Sequence, residues 1–535
     1  MSEPAANDAA KKPTFTLFAL AEVRGQVGPC GCTTDPLGDI SRTAKLIEQA
    51  RGAGPVMFVD AGSLLYTQAP IPPAMDTQED LKATLLASTY QTALKVDAIG
   101  VGPFDISKGV DHLRLPRVVS NASDLPNLAP PHVTDVGGAK VGVFGMIGEG
   151  AVTGLKLSDP VAAGKEAVKQ LRGQGAQVVV GLLQADSKKA ATQLMRDIGG
   201  IDIGIAGLGL SAPEPDHVDI EPAHVGNGWM IVPVNRGQVL AKIDVTVRGA
   251  GPLADAVGPG AAAAKLAKLE PALAKLDADL AGFAKDPSAD KAFVAQKQQE
   301  KAELIAERDR LKSHPLVVPA QGNYFTLEQV KINKALACDT AVQDAVSKFY
   351  AATGEANVKA AANVAVTPPA KGQASYTGSL ACSDCHNDQA EFWKKTVHAT
   401  AWQTLVDRGQ QYDLDCIGCH VTGWQKPGGS NLGHNDKLRD IQCETCHGPG
   451  SIHVAKGGNE KPLAIVKAPA PDLCTTCHTK EHSDTFQLEA YLRDITGPGH
   501  GEAKRKELGD GPTGGALRKA ALAKAGTTMG AGCTR

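Results

Sequence analysis

The chain has 535 residues, a formal net charge of -3, 42% hydrophobic residues and only 4% aromatic ones. That length suggests three or four domains, and the near-neutral charge speaks against a nucleic-acid partner. No run of about 18 apolar residues is present to form a membrane-spanning helix.

Residues 1–13 read as a flexible leader rich in Ala, Asn and Lys. From Thr14 to about residue 248 short apolar strands alternate with helical stretches. Phe15–Leu20, Val56–Asp60, Ala98–Val101, Val118–Asn121, Ala139–Met146, Val178–Leu183 and Ile203–Ala206 read as strands. Ile40–Ala53, Leu81–Lys95 and Val161–Gln174 carry helical spacing. This alternation predicts a layered α/β domain.

The order of these segments resembles the metallophosphoesterase domain of bacterial 5′-nucleotidases, which implies a four-layer α/β fold. The letters of the metal site depart from that family. Its Asp-x-His-Gly appears as Glu22-Val23-Arg24-Gly25, its Asp-Ala-Gly-Asp as Asp60-Ala61-Gly62-Ser63, and its Gly-Asn-His-Glu-Phe-Asp as Gly100-Val101-Gly102-Pro103-Phe104-Asp105. Its Gly-His-x-His appears as Gly207-Leu208-Gly209-Leu210. A two-metal hydrolase needs Asp, Asn and His ligands. Arg24, Ser63, Val101, Gly102, Leu208 and Leu210 stand in their places, so phosphatase activity is not expected.

After the first strand comes Pro29-Cys30-Gly31-Cys32-Thr33-Thr34-Asp35-Pro36-Leu37-Gly38, on a loop at the strand's carboxyl end, where α/β domains place ligands. This string resembles a nucleotidase-like group from multihaem-rich bacteria, in which Cys-Gly-Cys or a selenocysteine version replaces the metal machinery. Cys30 and Cys32 are the candidate catalytic residues, as an easily reduced disulfide, a soft-metal site or a nucleophile. The plain alternative is a pair of half-buried loop cysteines without chemistry.

Residues 249–313 shift to Ala, Lys, Glu and Leu. Ala261–Ala284 and Asp290–Leu311, broken at Lys285-Asp286-Pro287, read as a helical hairpin for spacing or oligomer contact. Residues 314–368 form a small α/β segment and linker, with a helix at Thr340–Thr353. Cys338 either pairs with Cys533 or both remain free thiols.

In residues 369–505 Cys-x-x-Cys-His occurs four times: Cys382/Cys385/His386, Cys416/Cys419/His420, Cys443/Cys446/His447 and Cys474/Cys477/His478. The spacing is that of c-type haem attachment: two thiols reach the two vinyl groups, and the adjacent histidine binds the iron. The alternative, zinc, pairs two Cys-x-x-Cys arms and does not need the histidine each time. Four covalently bound haem c groups are therefore expected. Successive proximal histidines are 34, 27 and 31 residues apart, too little protein to wrap each group separately, so the macrocycles must pack together and conduct. Residues 506–535 form a tail with at most one short helix, near Ala516–Ala525.

Outside the motifs this region holds His398, His434, His453, His482 and His500. The order of motifs, with Trp393 before His398, Gly423 after His420 and Gly448-Pro449-Gly450 before His453, resembles the tetrahaem cytochrome c five-five-four family, the electron acceptor of hydroxylamine oxidation. The resemblance implies distal ligands at His398, His453 and His500 and a five-coordinate iron on His420. His482 and His434 are lesser candidates; if either closes that iron, the domain is purely a wire.

The expected architecture is multidomain: an α/β metallophosphoesterase-like four-layer domain, a helical hairpin, and a mainly α, loop-rich tetrahaem cytochrome c domain. The expected function is electron transfer with redox partner proteins. The alternative is an oxidoreductase acting on a small nitrogen or sulfur species, at an open haem or at Cys30/Cys32. Covalent haem attachment occurs outside the cytoplasmic membrane, so a periplasmic or outer-surface location is expected. That location calls for a signal peptide or a lipoprotein leader with its lipid anchor, and Met1-Ser2-Glu3-Pro4 opens neither.

Overall fold

Two six-stranded sheets lie face to face in the computed structural model, which describes residues 14–29, 32–219, 221–256, 259–285, 291–313, 318–461 and 465–533. The first sheet contains β1 (Phe15–Leu20), β2 (Val56–Asp60), β3 (Ala98–Ile99), β12 (Val239–Thr246), β13 (Leu253–Asp255) and β14 (Asn323–Lys331), in the order β13-β14-β12-β1-β2-β3. The second contains β6 (His132–Val136), β7 (Ala139–Ile147), β8 (Val178–Gln184), β9 (Ile203–Gly207), β10 (Ala223–Val225) and β11 (Gly228–Ile231), in the order β10-β11-β9-β8-β7-β6. A small parallel ribbon, β4 (Arg117–Val118) with β5 (Leu128–Ala129), lies apart from both.

Period-two alternation explains the layering. Phe15, Leu17 and Ala19 of β1 face Val141 and Val143 of β7 and Val178 and Val180 of β8, filling the space between the sheets. The intervening Phe18, Leu20 and Phe58 point the other way, against α1 (Ile40–Ala53), α2 (Asp76–Thr92) and α7 (Thr340–Ala361). Phe144, Val179 and Leu183 cover α3 (Pro160–Gly173) and α4 (Lys188–Ile198). The result is four layers, α-β-β-α. The helix starts follow from capping: Asp39 accepts from the Ser41 and Arg42 amides, and Asp339 from that of Val342.

The first sheet does not end at residue 248. β14 pairs antiparallel with β12 from Val239↔Lys331 to Thr246↔Tyr324, and β13 joins it in parallel. The helical hairpin, α5 (Pro259–Phe283) and α6 (Lys291–Ser313), is thus an excursion between two strands of one sheet, closed by Leu269 and Leu311. Most of its expected break, at Asp286-Pro287, lies outside the described residues, as does the leader, residues 1–13. α7 runs eight residues past the expected Thr353 and leads into the C-terminal region.

That region is short helices and loops around a small core of Trp402, Ile417, Val421 and Leu432. Leu380 and Val397, beside the motifs, are 84% and 81% exposed. A helix at Gly514–Ala525 follows, and Cys338 and Cys533 form a disulfide that returns the tail to the start of α7. Among the described residues no helix is long and apolar enough to cross a membrane.

Candidate functional site

Each Cys-x-x-Cys-His motif closes a helical turn. The Cys385 amide donates to Cys382 O at 3.3 Å and the His386 amide to the same oxygen at 2.9 Å; Cys474, Cys477 and His478 repeat both distances. Cys443–His447 is a short helix, and Ile417–Cys419 a 3-10 turn. One turn puts both thiols on the same side and carries the imidazole round beneath them.

The histidines then pair across the fold. His386 faces His453 with ring centroids 6.2 Å apart, His478 faces His398 at 6.2 Å, and His447 faces His500 at 6.1 Å. Two metal–nitrogen bonds of about 2 Å, with each ring centroid about 1 Å behind its nitrogen, require about 6 Å. These pairs are too far apart to touch and correctly spaced to hold one iron each. Four of the six rings are fixed through Nδ1, which leaves Nε2 to face the partner. His447 Nδ1 lies 2.6 Å from Val466 O, His500 Nδ1 2.7 Å from Ile495 O, His453 Nδ1 2.8 Å from Glu460 and His478 Nδ1 3.1 Å from Ser483 Oγ.

His420 is held in the same way, its Nδ1 2.6 Å from Ala401 O; unlike the other three proximal rings it shows no ring–ring pairing with a second imidazole among the described residues, although His482 is near enough for its charge to add to burial in lowering the His420 pKa. His434 sits exposed in a turn closed on Asn431. His482 Nδ1 lies 3.0 Å from Thr479 Oγ1. Burial, then the nearby Arg236 charge, lower its pKa, while Asp415 raises it.

The thiols group by twos. Cys382 lies close enough to Cys443, and Cys419 to Cys477, for each thiol to shift its neighbour's pKa, so the first motif approaches the third and the second approaches the fourth. Glu444 cements the first of these contacts. Its buried carboxylate accepts from the Gly378 and Gly450 amides, both at 2.7 Å, and from the Thr377 amide at 2.9 Å. Among the described residues no three or more Cys, His, Asp or Glu side chains converge as a zinc site requires.

The N-terminal domain packs on the second motif. Gln78 Nε2 donates to Asp413 at 2.7 Å, Gln78 Oε1 accepts from the Leu414 amide at 3.0 Å, and Lys82 donates to Asp415. Burial opposes the Lys82 charge, but Asp415, Glu79 and Asp413 outweigh it and hold the ammonium above its usual range. Asn357 of α7 bridges Gln78 and Tyr412 O, both at 2.9 Å. Nearby, Thr34 Oγ1 donates to Asp484 at 2.5 Å, Arg236 pairs with Glu481, and Arg518 donates to Cys32 O at 2.9 Å. Cys32 lies close enough that its charge bears on both Cys416 and Cys419. Cys30 and Gly31 lie outside the described residues.

The loops at the carboxyl ends of β1, β2, β8 and β9 hold a charge pair. Glu22 and Arg24, both with positive φ, form a buried salt bridge at 3.2 Å. Glu22 also accepts from Gln184 at 2.8 Å and from the Gly209 amide at 2.9 Å, while Arg24 donates to Gly209 O and lies over the Phe104 ring. Burial raises the Glu22 pKa, and Arg24 and Gln184 offset part of that. Val101 and Leu208 are buried, and Leu210 is 83% exposed. Asp105 accepts from the Ser63, Leu64 and Gly102 amides and pairs with buried Arg117. Each acid here is saturated by the protein itself. Gln184, Arg117, Glu444 and the contacts made by Gln78, Lys82 and Arg236 carry no local motif, and sequence reasoning did not find them.

Residues 381–448 match the family model described as cytochrome c554 and c-prime. Cytochrome c-554 of Nitrosomonas europaea is 32% identical over 136 residues, covering 20% of this chain and 58% of that protein. The chain thus spans a little over half the length of that relative. Among solved structures, the 5′-nucleotidase precursor of Thermus thermophilus is similar at 14% identity, TM-score 0.40, covering 74% of this chain and 68% of that one. The sulfate thiohydrolase SoxB of Thermus thermophilus is similar at 16% identity, TM-score 0.36, covering 45% and 55%. The C-terminal region thus resembles cytochrome c554 in sequence, and the N-terminal domain has a four-layer α-β-β-α fold.

Proposed function

We propose that the chain is an exported multihaem c-type cytochrome that passes electrons to and from redox partner proteins, with a non-hydrolytic nucleotidase-like domain set against one of its haem sites. The observation that carries this reading is the set of three facing imidazole pairs, each at 6.1 or 6.2 Å. Four covalent haem groups would be held by Cys382 and Cys385, Cys416 and Cys419, Cys443 and Cys446, and Cys474 and Cys477. His386, His420, His447 and His478 would be the proximal ligands; His453, His500 and His398 would be the distal ligands opposite His386, His447 and His478. Such a group, once bound, supplies reversible one-electron chemistry at its iron.

The chain's own residues do the rest. Backbone carbonyls accept from Nδ1 of His447, His500 and His420, which fixes the tautomer that presents Nε2. Cys382 lies near Cys443 and Cys419 near Cys477, so groups attached at distant motifs would lie close together and electrons would have short steps between them. The exposed Leu380 and Val397 provide apolar surface for a large flat ligand to cover.

A second reading is favoured by His420, the proximal ring that shows no ring–ring pairing with a second imidazole among the described residues. An iron on His420 alone would have an open position, and the protein would then be an oxidoreductase acting on a small nitrogen or sulfur species there or at Cys30/Cys32. The test is protein purified from cells competent in cytochrome maturation. Four haems per chain by mass, with three low-spin ferric signals and one high-spin signal, support the proposal; colourless protein at the mass of the bare polypeptide overturns it.

A further inference from the structure

The segment that leads into the second motif is held in shape by the N-terminal domain. Asn357 of α7 donates to Tyr412 O at 2.9 Å, and the Leu414 amide donates to Gln78 Oε1 of α2 at 3.0 Å. Gln78 Nε2 donates to Asp413 at 2.7 Å and to Asp415 at 3.1 Å. The Asp413 carboxylate also accepts from the Asp415 amide at 3.0 Å, and its carbonyl accepts from the Cys416 and Ile417 amides at 3.1 and 3.0 Å. The turn that carries the first thiol of the motif therefore starts from a residue gripped by α2.

We propose that this grip also sets a potential: Lys82 raises the reduction potential of the iron held by His420, by offsetting the charge of Asp415. The proposal rests on the haem reading above and gives the sandwich a part in electron transfer.

The placement of the charges carries it. Lys82 Nζ pairs with two carboxylates, Glu79 at 2.8 Å and Asp415. Glu79 turns its other oxygen inward, accepting from the Thr67 amide at 2.7 Å. The ammonium thus stands between the sandwich's own carboxylate and the one beside Cys416, with its positive charge toward the cytochrome region. Gln78, Glu79, Lys82 and Asp413 are buried, so water screens this charge poorly. Asp415 is the covalent neighbour of Cys416. Ferric iron there takes up one electron from a redox partner, and no bond of the chain forms or breaks. A carboxylate nearby opposes that added negative charge, and an ammonium favours it. Lys82 touches no reacting atom. It is a positioning residue that acts through Asp415.

The experiment is a potentiometric titration of full-length holoprotein, with dithionite as reductant, read iron by iron through the ferric signals. The signal that survives His398→Ala, His453→Ala and His500→Ala alike belongs to the iron on His420. Lys82→Gln should lower the reduction equilibrium of that iron by about ten-fold, which is about 59 mV for a one-electron couple, and Asp415→Asn should raise it by a similar factor. Lys82→Arg keeps the charge and should leave the midpoint near that of the wild type. The other three irons should stay within about two-fold of their wild-type equilibria in every variant. A loosened seam that admits water would move both charge variants in the same direction, so opposite signs separate a charge effect from structural damage. Shifts of one sign, equal shifts at all four irons, or a midpoint that either charge variant leaves unmoved overturn the proposal. Colourless protein overturns the haem reading beneath it, a separate and recognisable failure.

Discussion

Lys82 of α2 donates to Asp415, the residue immediately before the first thiol of the second motif, while its other partner, Glu79, lies wholly buried on its own helix at 2.8 Å. One ammonium thus ties the nucleotidase-like fold to the cytochrome region and neutralises an internal carboxylate. Lys82→Ala strands Glu79 without a counter-charge and should cost about 3 kcal/mol, read as a shift in urea midpoint. The double change Lys82→Met, Glu79→Gln should recover most of that loss; an equal or larger loss would show that the charge pair is not the source.

His398 should be indispensable to one iron only. His398→Ala in holoprotein converts one low-spin signal into a high-spin one, leaves four haems per chain by mass, and leaves the other signals in place. His434→Ala, in an exposed turn, changes no signal. If His434→Ala instead produced a new high-spin signal, His434 would be closing the iron on His420 and the open-iron reading would be wrong.

No phosphate should be released from nucleotides when manganese or zinc is added, because the carboxylate at the carboxyl end of β1, Glu22, is already paired with Arg24. Arg24→Ala should not restore turnover, since Leu208 and Val101 still stand where ligands would be needed. It should destabilise the domain by about 3 kcal/mol by leaving Glu22 uncompensated, again measured by denaturant midpoint.

Asp60 gives a pH dependence with a definite sign. Its carboxyl is fully buried, which pushes its pKa up to about 7 despite hydrogen bonds from Tyr90 and the Gly62 amide. Unfolded, it loses its proton near 3.8. Between these values the unfolded state binds fewer protons than the folded one, so stability falls as pH rises, by up to about 1.4 kcal/mol per unit, and levels off above about 7. Asp60→Asn should remove this fall when midpoints are compared at about pH 5 and pH 8.

How much of this was legible beforehand depends on the range of each interaction. The Cys-x-x-Cys-His motif is written in five consecutive residues, so its four copies between Cys382 and His478 could be picked out directly. The strands from Phe15 to Ala206 were legible as short apolar runs between helical stretches, and Ile40–Ala53 is the helix its spacing predicts. The resemblance to a known family pointed to His398, His453 and His500, but which ring faces which is decided by folding over tens of residues. The return of Asn323–Lys331 to pair with Val239–Thr246 was hidden, because a long helical hairpin intervenes and nothing in either strand names its partner. The Gln78, Lys82 and Arg236 contacts left no trace, since each is a single polar residue on an otherwise ordinary element.

The Cys338–Cys533 bond closes a loop of 195 residues that contains every haem motif. The cytochrome region is therefore fastened to the sandwich at both ends, like a bag on two straps. A protease that nicks one exposed turn between them would sever the backbone without shedding the pigment: the pieces would migrate together until a reductant was added, and only then would the coloured fragment separate.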